Sequence, residues 1–361
     1  MIFPLTTPPE RICLLRLSAI GDVTHMLPTL RTLQAAWPEA RITWIIGKIE
    51  AQLVADIDGV EFIIFDKAMG TKAFFELRKK LHGQKFDLLL NMQVSPRAAL
   101  VSRLINSPVR LGFDSRRGKF LHNLACNYSI PYTANQHVLD SFLSFTGYLG
   151  IDPPTLRWDI PIPTEAIEST RQLLGAVDQY LVINPCSSNR ARNWRNWSYQ
   201  HYAAVIDHAA ANFGITTVLT GGPNQQEINY AEQIITTAEA TPLNLVGKTS
   251  LKQLAALCQG AQAMISPDTG PAHIANAVGT PVIGLYASSN PDRTGPYSHR
   301  DLTVNCYPEA LKRELGKAVS EVKWGQRVRN PQVMERIKVG DVIKRIEQVL
   351  KAENQDSSTS P

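Results

Sequence analysis

Two short segments near opposite ends of the chain combine small residues with a carboxylate in a spacing that suits anion binding. The first is Arg16–His25 (RLSAIGDVTH) and the second is Ser266–His273 (SPDTGPAH). Each follows an apolar run typical of a strand and opens a run typical of a helix. Because the first N–H groups of a helix have no partner within it, such loops can bind anions. Two of them predict an anionic substrate in a cleft between two α/β domains.

The elements that would position the first loop alternate between strands and helices. Continuous apolar strands separated by helices are typical of a parallel sheet covered on both faces. Ser95 suits a helix N-cap and Pro96 the first helical position. The predicted strands of this half are Ile12–Leu17, Ile42–Ile46, Phe62–Phe65, Leu88–Asn91 and Val109–Phe113, and the predicted helices are Val23–Ala36, Lys72–Leu81 and Pro96 to about Ile105.

The second half repeats this pattern, with helix caps predicted at Ser198 and Ser250 and a helix end at Gly214. Its predicted strands are Leu181–Asn184, Thr216–Thr220, Leu243–Val246, Ala263–Ser266 and Val282–Tyr286. A chain of 361 residues is long for one core. We therefore predict an α/β domain over 1–165, a second α/β domain over 166–335, a terminal helix over 336–352 and a disordered tail over 353–361.

Composition argues against several classes of protein. Hydrophobic residues make up 44% and charged residues 19% of the chain, as in soluble globular proteins. No apolar run reaches the roughly 20 residues of a membrane span, and the first residues lack a secretory signal pattern. The five cysteines are scattered without a CxxC pair, which disfavours a zinc site or a disulfide framework. We expect a cytosolic protein with mostly buried, reduced thiols.

The chain carries a net charge of +5, and part of this excess is concentrated in one stretch of the first half. Two interpretations remain open for this stretch: a solvated surface, or a basic wall that binds an anionic substrate. The cations concerned are Arg97, Arg103, Arg110, Arg116, Arg117 and Lys119.

Four segments, in order along most of the chain, resemble glycosyltransferase family 9, the ADP-heptose:lipopolysaccharide heptosyltransferases. They are Arg16–Leu27 (RLSAIGDVTHML), Asn184–Trp194 (NPCSSNRARNW), Thr220–Glu227 (TGGPNQQE) with Gly247–Leu251 (GKTSL), and Ser266–His273 running on to Tyr297. The resemblance implies a GT-B fold of two Rossmann-like, doubly wound domains facing a central cleft.

The resemblance also implies an inverting reaction that uses neither metal nor cofactor. The donor would be ADP-heptose and the acceptor the inner core (Kdo or heptose) of lipopolysaccharide. The protein would be cytoplasmic and peripheral on the cytoplasmic face of the inner membrane, with no nucleic-acid partner. Any membrane contact would be peripheral, through charge and the lipid acceptor.

Within the first loop, the resemblance assigns Asp22 as the general base that takes a proton from the acceptor hydroxyl. Ser18 and Gly21 of the same loop are predicted to contact substrate. A purely structural alternative is that Asp22 only caps the helix that it begins. The basic wall, through Arg97, Arg116, Arg117 and Lys119, is a hypothesis for binding anionic groups of the acceptor.

The donor site is predicted from the second half of the chain. By resemblance, Ser187, Ser188 and Arg192 bind the phosphates, with Arg190 and Arg195 as nearby alternatives. The family often has Lys where Arg192 stands. Asp268 would bind sugar hydroxyls, the N–H groups of Thr269 and Gly270 would meet the phosphates, and His273 would either contact the diphosphate or pack against the loop. Glu227 would bind the ribose or simply begin a helix.

Two other motifs are interpreted as coincidences. Asp56-Ile57-Asp58 imitates the metal-binding DxD of other glycosyltransferases but lies in a predicted turn, and Gly247-Lys248-Thr249 imitates part of a P-loop without its first glycine. The sequence contains no GxGxxG motif, which argues against the interpretation as a nicotinamide-dependent oxidoreductase. Two alternatives stay open: a related transferase with another nucleotide sugar or acceptor, and a nucleotide-sugar-binding protein without transfer activity.

Overall fold

The computed structural model describes residues 3–187 and 193–359, with side chains through residue 352. The chain divides into two compact units, Met1–Pro161 and Ile162–Pro361. The sequence placed this division slightly later, after residue 165. Each unit is built on a six-stranded sheet in which all paired strands run parallel.

The first unit has the strand order β3-β2-β1-β4-β5-β6. Its strands are β1 (Arg11–Leu15), β2 (Arg41–Gly47), β3 (Val60–Phe65), β4 (Leu88–Asn91), β5 (Val109–Gly112) and β6 (Tyr128–Ser129). Its helices are α1 (Ile20–Ala36), α2 (Lys48–Val54), α3 (Lys72–Lys80), α4 (Pro96–Arg103), α5 (Phe120–Ala125) and α6 (Val138–Leu149), with a 3₁₀ turn at Lys67–Met69.

The second unit has the equivalent order β9-β8-β7-β10-β11-β12 when read from its other edge. Its strands are β7 (Tyr180–Ile183), β8 (Thr216–Leu219), β9 (Leu243–Asn244), β10 (Ala263–Pro267), β11 (Val282–Tyr286) and β12 (Val304–Asn305). Its helices are α7 (Thr164–Leu174), α8 (Tyr199–Phe213), α9 (Gln225–Thr237), α10 (Leu251–Gln259), α11 (Gly270–Ala277), α12 (Pro291–Thr294), α13 (Tyr307–Leu315) and α14 (Val339–Thr359), with 3₁₀ turns at Arg300–Leu302, Val319–Glu321 and Val333–Arg336.

Each sheet reverses its strand order once, beside its first strand. In the first unit β1 lies between β2 and β4, and in the second unit β7 lies between β8 and β10. In open parallel sheets, ligands bind at the carboxyl ends of the two strands that flank such a reversal. The topology therefore directs attention to the loops after β1 and β4 in one unit and after β7 and β10 in the other.

The sequence places the central strands because their residues are apolar on both faces. Every residue of β4, β7, β10 and β11 is buried, which is possible only when helices cover both sides of the sheet. Serine caps fix where several helices begin. Ser95 accepts a hydrogen bond from the N–H of Ala98, and Ser198 accepts one from that of His201, as the sequence predicts.

The C-terminal helix is longer than the sequence predicts. Its backbone runs from Val339 to Thr359 and so continues through most of the stretch predicted to be a disordered tail. The residues between 353 and 359 include neither glycine nor proline, so nothing in the sequence interrupts the helix. The structure therefore continues the helix where the polarity of the sequence predicted a disordered tail over 353–361.

No helix in the described part of the chain is long and apolar enough to cross a membrane. All five cysteines are free thiols. Cys13, Cys186 and Cys258 are buried, and Cys126 and Cys306 are partly buried. Burial raises the pKa of Cys126 to about 11 and that of Cys258 to about 12, so both thiols are protonated and unreactive at neutral pH.

A buried histidine makes the first unit sensitive to acid. His122 on α5 is 1% exposed, and its Nε2 accepts a 3.0 Å hydrogen bond from the N–H of Phe113, which requires an unprotonated nitrogen. Burial lowers the pKa of His122 below its ordinary value of 6.5. The folded protein therefore binds this proton less readily than the unfolded chain does. The stability that depends on the neutral ring is fully present above pH 6.5 and is lost as the pH falls below it.

We expect the free energy of unfolding to fall between about pH 7 and pH 5, by up to about 1.4 kcal/mol per pH unit for this one proton. Denaturant titrations across this range measure the slope. His122→Gln keeps an acceptor without a titrating ring and should flatten the profile. His299→Gln is the comparison: burial also lowers the pKa of His299, so this variant should lose only the contribution of His299 and keep that of His122. An equal slope in wild type and His122→Gln would contradict the assignment.

Candidate active site

The loop after β1 is fastened to both neighbouring strands. The N–H of Leu17 donates to the side chain of Gln93 after β4 at 2.6 Å, and the carbonyl of Leu17 accepts from the N–H of Gly47 at the end of β2 at 3.0 Å. A methyl group at Gly47 would collide with that same carbonyl, so glycine is required for the close approach. The loop that leads into α1 is therefore held at the point where the strand order reverses.

Asp22 lies in the first turn of α1 and is paired with Arg16, which precedes it in the same loop. The guanidinium of Arg16 contacts the Asp22 carboxylate, and the N–H of Ala19 donates to the same carboxylate oxygen at 3.3 Å. The side chain of Asp22 is 34% exposed, whereas that of Arg16 is 11% exposed. An incoming hydroxyl group can thus reach Asp22, while Arg16 holds it from the protein side.

Arg16 is itself fixed by two further contacts. Its Nη1 donates to the carbonyl of Met92 at 2.7 Å, and its guanidinium carbon lies 5.3 Å from the centre of the Phe142 ring. These contacts restrict the conformations of the Arg16 side chain. Because Arg16 contacts Asp22, they also restrict the position of the Asp22 carboxylate. Arg16 is a positioning residue that the sequence analysis quoted within the motif but did not assign.

A cavity of about 220 Å³ lies beside this loop in the first unit. Its charged and polar wall consists of Ser18, Lys48, Glu50, Asp66, Lys67, Gln93 and Arg97. Lys48 is paired with Asp66 at 2.9 Å. Glu50 is 7% exposed, and burial raises the pKa of its carboxyl group. The cavity combines cations with a buried acid, which suits a ligand that carries both an anionic group and hydroxyl groups.

The basic residues predicted to form one wall have different roles in the structure. Arg97 lines the cavity, and Arg116 and Lys119 are exposed. Arg110 donates from its Nε to the carbonyl of Ala125 at 2.9 Å and from its Nη1 to that of Ile105 at 2.8 Å, so it ties α4 to α5. The continuous wall that the sequence suggested is therefore not present as such.

Arg117 also has a structural role, because its guanidinium binds groups of the protein itself. Its guanidinium contacts the buried carboxylate of Asp114 and donates to Gln136 and to the carbonyl of Pro131, both at 3.1 Å. Burial alone would raise the pKa of Asp114, but the hydrogen bonds from Arg117 outweigh it and the pKa is lowered. Because Arg117 compensates a buried charge, it is a poor candidate for a residue that turns toward the substrate.

In the second unit, Asp268 follows β10 directly and is paired with Arg195 from the loop after β7. Nη1 of Arg195 donates to the Asp268 carbonyl at 2.7 Å and to its carboxylate at 3.2 Å. The Arg195 side chain is 15% exposed and that of Asp268 is 9% exposed. This pair joins the two loops at the strand reversal. The sequence analysis gave Arg195 as an alternative residue for binding the phosphates. In the structure it holds the side chain of Asp268.

The helix that follows begins in the way that the sequence predicts. The hydroxyl of Thr269 accepts from the N–H of Ala272 at 3.3 Å and lies 3.0 Å from the hydroxyl of Ser266. Gly270 is the first residue of α11, and His273 lies one turn further along it, 7% exposed. The side chain of Thr269 is used as the cap, so its backbone N–H and that of Gly270 are the groups suited to a ligand.

Ser187 is part of an asparagine network after β7. Its hydroxyl donates to Asn193 at 2.6 Å, and its N–H donates to Asn196 at 3.0 Å. Its hydroxyl hydrogen is thus directed to the protein, while the oxygen can still accept. Ser188 and Arg192, both predicted phosphate ligands, and the alternative Arg190 lie outside the described residues.

Glu227 is the third residue of α9, and its carboxylate closes the preceding turn. One oxygen accepts from the N–H of Gly222 and the other from the side chain of Asn224, both at 2.6 Å. The N–H of Glu227 donates to the Asn224 side chain at 3.0 Å. These contacts give the helix-start interpretation direct support. A carboxylate has further lone pairs, so binding of ribose hydroxyls remains a prediction.

No group of three or more His, Cys, Asp or Glu in residues 3–187 and 193–352 is placed to hold a metal ion. Asp56 and Asp58 of the DxD string lie in the turn between α2 and β3, as predicted, and both are exposed.

Comparison with known proteins decides the family. The model of the family described as "Glycosyltransferase family 9 (heptosyltransferase)" matches residues 74–324 of this chain. The lipopolysaccharide core heptosyltransferase OpsX of Haemophilus influenzae is 37% identical over 94% of this chain and 96% of its own length. The chain belongs to glycosyltransferase family 9.

Solved structures agree at the level of the fold. A family 9 glycosyltransferase from Veillonella parvula matches with a TM-score of 0.79 and 23% identity, covering 95% of this chain and 98% of that one. The Escherichia coli heptosyltransferase WaaC with ADP matches with a TM-score of 0.70 and 22% identity, covering 94% and 99%. The predicted GT-B fold class is confirmed, and so is the predicted family of glycosyltransferases.

For this family 9 enzyme, the family match covers residues 74–324 and assigns no residue a role, so the roles of Asp22, Ser18 and all other predicted site residues stay predictions. The structure brings Asp22 together with Arg16, and Asp268 together with Arg195. It also adds Glu50 and Lys67, which the sequence analysis missed. Glu50 lies in α2, a short helix without a strong periodic pattern, and Lys67 begins the 3₁₀ turn after β3. No sequence signal marked either residue.

Proposed function

We propose that this family 9 enzyme transfers heptose from ADP-heptose to the inner core of lipopolysaccharide, to Kdo or heptose. The observation that carries the proposal is the pair of fastened loops at the two strand reversals, one presenting Asp22 and the other Asp268. The resemblance of the whole chain to a core heptosyltransferase supports the choice of donor and acceptor.

The proposed reaction is a single displacement at the anomeric carbon. Asp22 accepts the proton of an acceptor hydroxyl while that oxygen forms a bond to the anomeric carbon of the heptose. The bond from this carbon to the phosphate oxygen breaks, and ADP leaves with the electron pair, so the configuration is inverted. Asp22 is suited to this role because its carboxylate is fixed by Arg16 and still 34% exposed.

The second unit would bind the donor. The N–H groups of Thr269 and Gly270 would donate to the diphosphate at the start of α11, where the helix dipole favours negative charge. Asp268, ordered by Arg195, would accept hydrogen bonds from the sugar hydroxyls. This arrangement stabilises the departing ADP by fixed dipoles and needs no metal ion in the proposed mechanism.

The first unit would bind the acceptor in the 220 Å³ cavity. Lys67 and Arg97 would pair with its carboxylate or phosphate groups, and Glu50 would accept hydrogen bonds from its hydroxyls. Ser18 places this cavity next to the loop of Asp22. Because the acceptor is a lipid, we also propose that the enzyme is cytoplasmic and binds peripherally to the cytoplasmic face of the inner membrane.

Charge reversal of a residue in the cavity should weaken binding of the acceptor and leave binding of the donor unchanged. We expect Arg97→Glu to raise the KM for the acceptor about ten- to a hundredfold, because one charge-assisted contact is replaced by repulsion. The affinity for the donor should not change. Initial rates against acceptor concentration and donor calorimetry measure the two effects. Lys85→Glu, an exposed charge reversal on the same unit, is the matched control.

If Arg97→Glu has the wild-type KM for the acceptor, the proposal that the acceptor binds in this cavity is wrong. Arg116→Glu serves as a second comparison, since Arg116 belongs to the predicted wall but does not line the cavity. Its acceptor KM for a soluble acceptor should stay close to that of wild type.

The decisive experiment for the function is a transfer assay with a lipid-free inner-core acceptor. ADP-heptose, UDP-glucose and GDP-mannose are compared as donors, in the presence and absence of a chelator. Transfer from ADP-heptose alone, with inverted configuration and no effect of the chelator, supports the proposal in full. Transfer from another nucleotide sugar would keep the Asp22 chemistry and overturn the donor, and donor binding without transfer would favour a binding protein.

A further inference from the structure

The surface of α5 exposes apolar side chains that the core does not use. Phe120 is 75% exposed, Leu124 is 56% exposed and Leu121 is 44% exposed. On α4, which packs against α5, Leu100 is 57% exposed. We call these four residues the α4–α5 face. Among residues 3–187 and 193–352 no large apolar side chain is more exposed than Phe120. Exposed apolar groups in one patch mark a contact surface.

The orientation of this face is fixed by the opposite side of α5. His122 and Ala125 are buried there, and His122 accepts a hydrogen bond from the N–H of Phe113. Gly112 lies so close that an added methyl group would collide with His122 and Cys126. Since α5 cannot rotate within this packing, Phe120, Leu121 and Leu124 are held toward solvent.

The charge around the face is positive. Residues 95–133 contain six arginines and lysines and a single acidic residue, Asp114, which is buried and paired with Arg117. Three of the cations are exposed next to the apolar side chains: Arg103 lies one turn after Leu100 on α4, and Arg116 and Lys119 precede Phe120. Arg116 also lies 4.7 Å from the ring of Tyr132, itself 44% exposed.

This combination of apolar side chains with nearby cations, and with no exposed acid within residues 95–133, is complementary to an anionic lipid surface. Leucine and phenylalanine enter the boundary between headgroups and acyl chains, and each nearby lysine or arginine adds attraction to anionic headgroups. A second copy of the chain is a poor occupant, because two such faces would bring the same cations together. A protein partner would need acidic groups around an apolar centre.

We propose that the α4–α5 face docks this enzyme onto a bilayer that contains anionic phospholipid. The inference rests on the proposed function in one respect, since a lipid acceptor makes docking useful. Helix α4 connects the cavity with the α4–α5 face: Arg97 in its first turn lines the cavity, Leu100 lies one turn later in the face, and Arg103 lies one turn after that as a nearby cation. A bilayer bound there would present a lipid-linked sugar close to the cavity.

A second exposed aromatic offers a matched control. Phe75 on α3 is 71% exposed and lies among basic residues, but it is the one large apolar side chain exposed on that helix, and exposed Glu76 is next to it. The proposal therefore distinguishes two aromatic residues of nearly equal exposure. Phe120 should matter for membrane binding and Phe75 should not.

The test is co-sedimentation of the full chain with vesicles of phosphatidylglycerol and phosphatidylcholine in equal parts. We expect wild type to bind these vesicles, and to bind pure phosphatidylcholine vesicles or vesicles at high salt much less. Phe120→Ser/Leu124→Ser should lower the partition at least about tenfold, and Lys119→Glu should lower it less. Phe75→Ser should bind as wild type does.

Wild-type binding by Phe120→Ser/Leu124→Ser, or an equal loss in Phe75→Ser, would overturn the proposal. A wild-type dimer that this double variant dissociates would assign the face to a second copy instead. Thermal unfolding shows that each variant is folded, and all four positions are exposed, so little change is expected. Transfer to a lipid-free acceptor without vesicles is measured in parallel: failure of wild type there refutes the proposed function, while the vesicle result still decides the docking face.

Discussion

Replacement of Asp22 by asparagine is expected to lower kcat about a hundred- to ten-thousandfold and to leave donor affinity unchanged. General-base catalysis contributes a factor of this size, and an amide cannot accept the proton of the acceptor hydroxyl. The change is nearly isosteric, so the contact from the N–H of Ala19 can persist through the side-chain oxygen. Donor binding belongs to the second unit and should be insensitive to it.

Steady-state rates with ADP-heptose and a lipid-free acceptor, together with donor calorimetry, measure this effect. Asp58→Asn is the matched control, because Asp58 is an exposed aspartate of the same unit and part of the DxD string. It should keep full activity. Near wild-type turnover in Asp22→Asn would exclude Asp22 as the base. The next residue to replace would then be Glu50, a buried carboxyl group in the cavity whose pKa burial raises.

Replacement of Asp268 by alanine should have the largest effect on the donor. We expect the Kd for ADP-heptose to rise about ten- to a hundredfold, since hydrogen bonds to a charged group are lost. The Kd for ADP should rise less, because the proposed contacts of Asp268 are to sugar hydroxyls. The comparison of the two ligands by calorimetry separates sugar recognition from a general loss of the site.

Asp268→Ala also leaves Arg195 without its carboxylate partner, so part of the effect could be structural. Asp268→Asn is the more conservative variant, since it retains an oxygen for Arg195 and should lose less donor affinity. Asp178→Ala, an exposed aspartate on the same unit, serves as a control for the substitution itself. Unchanged affinity for ADP-heptose in Asp268→Ala would contradict the assigned role.

The two units order their aspartates by the same kind of contact. In each, an arginine at the strand reversal contacts an aspartate near the start of a helix: Arg16 with Asp22, and Arg195 with Asp268. In the first pair the arginine precedes the aspartate by six residues, since 22 − 16 = 6. In the second it comes from a different loop, 73 residues away. The first pair was therefore within reach of local reasoning and the second was not.

The sequence alone determined most of the elements near the sites. The bounds of β4 and β11 coincide with the predicted Leu88–Asn91 and Val282–Tyr286, and the caps at Ser95, Ser198 and Ser250 lie where predicted. These features are local: an apolar run with both faces buried, and a short polar side chain that closes a helix start. The segments that carry Asp22 and Asp268 were found for the same reason.

What the sequence could not determine depends on residues that are distant along the chain. The sequence grouped Arg97, Arg110 and Arg117 because they are close along the chain. In the structure Arg97 lines the cavity, Arg110 donates to backbone carbonyls and Arg117 pairs with Asp114. A charged side chain near a core takes whichever partner the packing brings within a few ångströms, and composition does not reveal that partner. The local pattern gives the strands, caps and loops, whereas the pairing of charges between loops exists only after the sheets have formed.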